Sequence, residues 1–139
     1  MSTICLRRLV RRRGGAVAVE YALILPMLLL FVIGIIDVGR LLWTFTTLNR
    51  AAEAAARCGA INSIDCGTST AIKNRAVAEA WGMNIAASAF AVTTPACGVQ
   101  VVGTYDFVFA IPALATATPL GTVTLKATAC YPTITGGGG

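Results

Sequence analysis

From Ala16 to Ile36 the chain reads AVAVEYALILPMLLLFVIGII, twenty-one residues with a single charge. About twenty apolar residues span the hydrocarbon core of a bilayer, so this run is expected to be a transmembrane helix. Composition agrees, because 56% hydrophobic with only 12% charged residues is too apolar for an ordinary soluble domain of 139 residues. Eleven Lys and Arg face six Asp and Glu, and five of the eleven (Arg7, Arg8, Arg11, Arg12, Arg13) precede the span. Beyond residue 15 six basic residues balance six acidic ones, which leaves no basic surface suited to a nucleic acid. The arginines should stay cytoplasmic, so the chain after the span is expected to be exported. A cleaved secretory signal fits poorly. The run is long for one, and the nearest small-x-small pattern, Ala52-Glu53-Ala54, lies sixteen residues past Ile36. Cys5 lies ahead of the run and is not a lipobox cysteine.

The helical pattern continues past the apolar run. In RLLWTFTTLNRAAEAAARCGA, Leu41, Phe45, Leu48, Ala52 and Ala55 recur at spacings of four, three, four and three, one face of a helix. Arg50, Glu53 and Arg57 fall on another face at spacings that favour local ion pairs, and Gly59 is the expected stop. A single helix over Ala16–Ala60 would extend about 68 Å at roughly 1.5 Å per residue. Its alanine-lined upper stripe would admit a neighbouring helix, or the chain's own later part, at short range.

Four of the five cysteines (Cys58, Cys66, Cys97, Cys130) follow the apolar run, an even number suited to an oxidising compartment. With no histidine and no C-x-x-C pair, zinc is a weak reading. Residues 61–69 have loop chemistry, and a Cys58–Cys66 bond would tie that loop to the helix. TAIKNRAVAEAWG reads as a second helix, with Ile72, Ala76, Ala80 and Trp81 inward, Ser69 or Thr70 as cap and Gly82 as stop. Trp81 is read as a core anchor. Further on, Tyr105, Phe107, Phe109 and Ile111 alternate with polar or small residues, and so do Val123, Leu125, Ala127 and Ala129. These are two strands around a loop holding Pro112 and Pro119. Pairing them brings Cys97 towards Cys130, but the two cysteines have conflicting parity, and a bulge at Gly103 would reconcile it. Cys58–Cys66 with Cys97–Cys130 is the favoured one of three connectivities.

Glu20 is the most informative residue. A carboxylate at the centre of a span costs about 2.5–3.5 kcal/mol and less near an interface, so its bland reading is a solvated boundary residue. Gly14-Gly15 precedes it, Tyr21 follows, and Glu20 is fifth counting from Ala16. Pro26 lacks an amide donor and reads either as a loosened turn or as an ordinary membrane-helix proline. Asp37 and Arg40 read as a surface ion pair at the membrane boundary.

In this order, basic stretch, Gly, four residues and Glu-Tyr, the sequence resembles the processing site of type IV prepilins of the tight-adherence (Flp/Tad) system. The longer stretch GAVAVEYALILPMLLLFVIGIIDVGRLL resembles the TadE-like minor pilins or pseudopilins, through Glu20, Tyr21, Ala22, Leu23, Leu25, Pro26, Gly34, Asp37, Gly39 and Arg40. The resemblance implies a prepilin peptidase cutting between Gly15 and Ala16, with Glu20, Tyr21 and Pro26 serving recognition and assembly. It implies a single-pass inner-membrane protein with a periplasmic head. Its partners would be other pilin and pseudopilin subunits and the pilus assembly platform. Surface adhesion and biofilm formation would follow from the pilus.

The expected layout is a leader over 1–15, a span over 16–36, an exported continuation of the helix over 37–60, and a disulfide-bonded head over 61–135. A disordered glycine tail would occupy 136–139. The fold class is α+β and type IV pilin-like: a long helix, a short helix and an antiparallel sheet. No nucleophile motif, phosphate loop or histidine suggests an enzyme, and no cofactor, metal or small-molecule substrate is expected. The alternative is an uncleaved, signal-anchored scaffold of the same machinery. An adhesin tip would need a binding surface, and the sequence displays none.

Overall fold

The computed structural model describes residues 14–110 and 122–133. Helix α1 spans Gly14–Ile61 and helix α2 spans Ser69–Glu79. A 3-10 turn at Ala87–Ala89 leads into strands β1 (Phe90–Thr93), β2 (Val99–Val108) and β3 (Thr122–Tyr131). The strands form one antiparallel sheet in the order β1-β2-β3. The architecture is the expected α+β arrangement. The chain divides into two compact units, Met1–Ile36 and Asp37–Gly139.

The first unit is helical wherever it is described. Every described side chain from Val17 to Ile36 is exposed, including Leu23, Ile24, Leu25 and Ile33 on all sides of the helix. A helix that is apolar all round finds no water-facing side, and lipid is the solvent that suits it. Pro26 lies inside α1. Among the described residues, α1 is the one helix long and apolar enough to cross a membrane.

The second unit packs on a stripe of α1 made of Asp37, Thr44, Thr47, Leu48, Ala51, Ala52, Ala55 and Ala56. From Thr44 these recur at three- and four-residue steps on one face, and Asp37 lies two turns before it. Phe45 was expected on that face but is exposed, because the stripe runs through its neighbour Thr44. Small residues bring the elements close. A Cβ at Gly103 would stand 2.8 Å from Phe90 Cε1 and 3.0 Å from Leu48 Cδ1. At Gly59 a Cβ would stand 2.6 Å from Ile72 Cδ1 and 3.0 Å from Val99 Cγ1. Gly59 is therefore a packing residue and not the helix stop. The helix runs on to Ile61. Asn62 then turns the chain, its Oδ1 accepting from Ile64 N (3.1 Å) and Asp65 N (3.0 Å). The expected pairing among Arg50, Glu53 and Arg57 is absent; the ion pairs among the described residues are Asp37–Arg40 and Arg75–Glu79.

Helix α2 is capped by Thr68, one residue before the expected positions, whose Oγ1 accepts from Ala71 N at 3.2 Å. It buries Ile72 and Ala76 and ends at Glu79. Trp81 is not a core anchor: it is 70% exposed, and Ala80 fills the buried place. The chain has left the helical path by then, and Gly82 at φ +72° turns it away.

The alternation in β2 and β3 holds, with Val99, Val101 and Phe107 of β2 and Ala127 of β3 buried and Thr104, Asp106, Thr124, Lys126 and Thr128 exposed. Strand β1 was not anticipated, since four residues give too little period to read. No bulge occurs at Gly103: the β2–β3 register runs unbroken from Val99↔Tyr131 to Val108↔Thr122. The parity conflict dissolves differently. Cys97 precedes β2, in a turn closed by Gly98 N donating to Pro95 O (3.0 Å), so strand parity does not bind it. Gly98 takes φ +119°, and a Cβ there would strike the backbone of Tyr131 and Pro132, which makes glycine obligatory. Disulfides join Cys58 to Cys66 and Cys97 to Cys130, with Cα–Cα separations of 5.7 and 6.3 Å. The basic stretch with Cys5, the loop holding Ile111, Pro112 and Pro119, and the glycine tail lie outside the described residues.

Candidate functional site

Gly15, Ala16, Glu20, Tyr21 and Pro26 all lie on α1. Glu20 follows Ala16 by four residues, one helical turn, so the two positions share a face. Glu20 and Tyr21 are both exposed, and Glu20 is the single charge between Ala16 and Ile36. The stretch therefore presents one carboxylate on an otherwise apolar surface.

A second constellation begins at Asp37. The sequence suggested a surface pair here, and the structure corrects that reading. The Asp37 side chain is only 1% exposed. Its Oδ1 accepts from Arg40 Nη1 at 2.9 Å, one turn along the same helix. Its Oδ2 accepts from the backbone N of Ala110 at 2.9 Å, seventy-three residues away in sequence. Arg40, half exposed, also lies over the Phe107 ring at 5.4 Å from its centroid, and Phe107 meets Phe109 edge to face. The carboxylate thus fastens the segment leaving β2 onto α1 at the first residue of the second unit. Sequence spacing carries no signal for this contact, because an i, i+3 Asp–Arg pair looks the same on a surface as in a clasp.

Two further acids have local partners. Asp106 Oδ1 accepts from Thr124 Oγ1 (2.6 Å) directly across the β2–β3 pair, and Asp65 Oδ2 accepts from Asn62 Nδ2 (2.7 Å) in the loop after α1. No three His, Cys, Asp or Glu side chains converge as a metal site among the described residues. Cys58–Cys66 pins the Asn62 loop back to the last turns of α1, and Cys97–Cys130 closes the outer end of the β2–β3 pair.

No curated protein and no solved structure matches the chain. A family model, described as TadE-like protein, matches residues 15–57. The matched stretch takes in Glu20-Tyr21, Pro26, the apolar run, the Asp37–Arg40 pair and the small-residue stripe, and over it the chain is similar to the TadE-like family.

Proposed function

We propose that the chain is a minor pilin or pseudopilin of a tight-adherence pilus, cut between Gly15 and Ala16 by a prepilin peptidase. It works as a structural subunit and not as an enzyme. Anchored by α1 in the inner membrane, with the disulfide-bonded unit in the periplasm, it joins other pilin-type subunits through the assembly platform. Its contribution to surface adhesion and biofilm formation is made through the pilus.

One observation carries the reading: Glu20 stands a helical turn from Ala16 on a surface otherwise without charge, inside the TadE-like match. Cutting after Gly15 removes five arginines that hold the chain end at the cytoplasmic face, and it leaves an ammonium on Ala16. A lone charge in lipid is costly and a paired one much less so. Glu20 therefore pairs with the Ala16 amine of its own or an adjacent subunit and sets the assembly register. If Glu20→Gln assembled as well as the unaltered chain, that role would be lost.

The deciding experiment is intact-mass and N-terminal analysis of the membrane-extracted protein, with and without the cognate prepilin peptidase. A peptidase-dependent start at Ala16, heavier by a methyl group, supports the processed subunit. A chain still beginning at Met1 in the presence of the peptidase refutes processing and leaves a permanently anchored scaffold.

A further inference from the structure

The second unit carries a groove that the pilus reading does not use. It measures about 240 Å³ and is lined by Trp43, Thr46, Thr47, Arg50, Glu79 and Trp81. The chain has two tryptophans, and both are here, 65% and 70% exposed. Leaving two large rings in water forgoes burial worth about 2 kcal/mol each, which an uncommitted surface has no reason to do. Neither ring makes an aromatic contact among the described residues.

Some polar groups of the groove keep free hydrogen-bonding capacity. Thr44 and Thr46 donate their hydroxyls to carbonyls of their own helix, at 2.8 Å to Arg40 O and 3.0 Å to Leu42 O. Thr47 does not. It is only 9% exposed, yet its hydroxyl has no hydrogen-bond partner among the described residues. No sealed side-chain oxygen is left unsatisfied in the molecule as described, so this hydroxyl still reaches solvent. Arg50 has no ion pair among the described residues, which leaves its guanidinium fork of five donors available. Glu79 engages Arg75 through Oε1 at 2.7 Å, and Oε2 remains an acceptor.

We propose that this groove binds a neutral pyranose ring of an oligosaccharide. The flat C–H face of such a ring stacks on tryptophan, and each of its hydroxyls both donates and accepts. The groove supplies that combination: two aromatic surfaces, a donor fork, a carboxylate acceptor and a hydroxyl that does either. Tryptophan with arginine also suits a lipid headgroup layer. A recess holding a carboxylate and a nearly buried hydroxyl fits a discrete polar ring better than an anionic bilayer surface. The inference is independent of whether the chain is cleaved after Gly15.

The test uses the full chain in phosphatidylcholine nanodiscs, since alkyl-glycoside detergents would present sugars of their own. Because both tryptophans line the groove, selectively excited tryptophan emission reports on it. Titration with cellotetraose or chitotetraose is expected to change the emission saturably. Trp43→Ala and Trp81→Ala, each read through the remaining tryptophan, should weaken the response at least about tenfold. Arg50→Ala, which removes no buried packing, should weaken it severalfold while leaving the thermal melt unchanged. Absence of a saturable change with both oligosaccharides overturns the proposal. So does a change that follows phosphatidylglycerol content or protein concentration instead of sugar, which would make the groove a lipid or subunit contact.

Discussion

The two units divide one helix, and the residues on either side of Ile36 obey different rules. Before it, α1 carries Leu, Ile, Phe, Val and Met on every side, all exposed. After it, the buried stripe is mostly alanine and threonine with Leu48, and the other faces carry Arg50, Glu53 and Arg57. Size, and not hydrophobicity alone, marks the change of partner. Large side chains maximise apolar area against lipid, while small ones let Ile72 and Gly103 come close to the helix. The described residues of the first unit have no folded core to lose; the second unit depends on one.

The sharpest way to test that division is through the crosslinks, both of which lie in the second unit. Replacing Cys97 and Cys130 together with Ala opens a loop of sequence separation 33, and replacing Cys58 and Cys66 opens one of 8. Chain entropy puts the losses at about 4 and about 2.5 kcal/mol respectively. Denaturant unfolding followed by near-ultraviolet dichroism should rank them in that order, and an inverted ranking would mean the Asn62 loop carries more of the fold than its length allows.

A single substitution at two positions comes next. Leu48→Ala empties a fully buried site and should cost about 3 kcal/mol. Leu28→Ala removes the same atoms from an exposed place in the first unit and should leave the melting of the second unit unmoved. Equal effects would erase the distinction between the two stretches.

How much of this was legible depended on whether the contact was local. The apolar run, α2 and the period-2 pattern of β2 and β3 could be read because each is a property of consecutive residues. The TadE-like stretch was legible for the same reason. Asp37, Gly59, Gly98 and Gly103 were misread or missed because their meaning lies in what approaches from elsewhere in the chain. Gly59 looks like a helix stop until Ile72 and Val99 are seen against it. Trp81 was assigned to the core by extending the α2 period two residues too far, and that error hid the groove it shares with Trp43. Cys97 seemed to conflict with Cys130 because strand parity was carried back into a turn.

Asp37 allows a smaller and more local test. Asp37→Ala strands the Ala110 amide and should cost about 1–3 kcal/mol, while Asp37→Asn keeps an acceptor and should cost less. Hydrogen exchange should quicken at Ala110 and the neighbouring end of β2, while amides near Gln100, beside the Cys97–Cys130 crosslink, stay protected. Uniform quickening along β2 would show that the carboxylate supports the whole unit and not its one end.

The smallest effect is a change of sign between glycines of the same helix. A Cβ at Gly39 meets nothing within 4 Å, so Gly39→Ala should gain up to about 1 kcal/mol of helix propensity. Gly59→Ala offers the same gain, but its methyl lands 2.6 Å from Ile72 Cδ1 and 3.0 Å from Val99 Cγ1, both held in the core. Overpacking of that kind costs about 1–3 kcal/mol, which outweighs the propensity. Thermal melts of the second unit should therefore rise for Gly39→Ala and fall for Gly59→Ala. Gly34→Ala, with open space around it in the first unit, should change neither. If Gly59→Ala stabilised instead, Ile72 would have to move aside freely, and the close seam between α1 and α2 would be looser than its small residues imply.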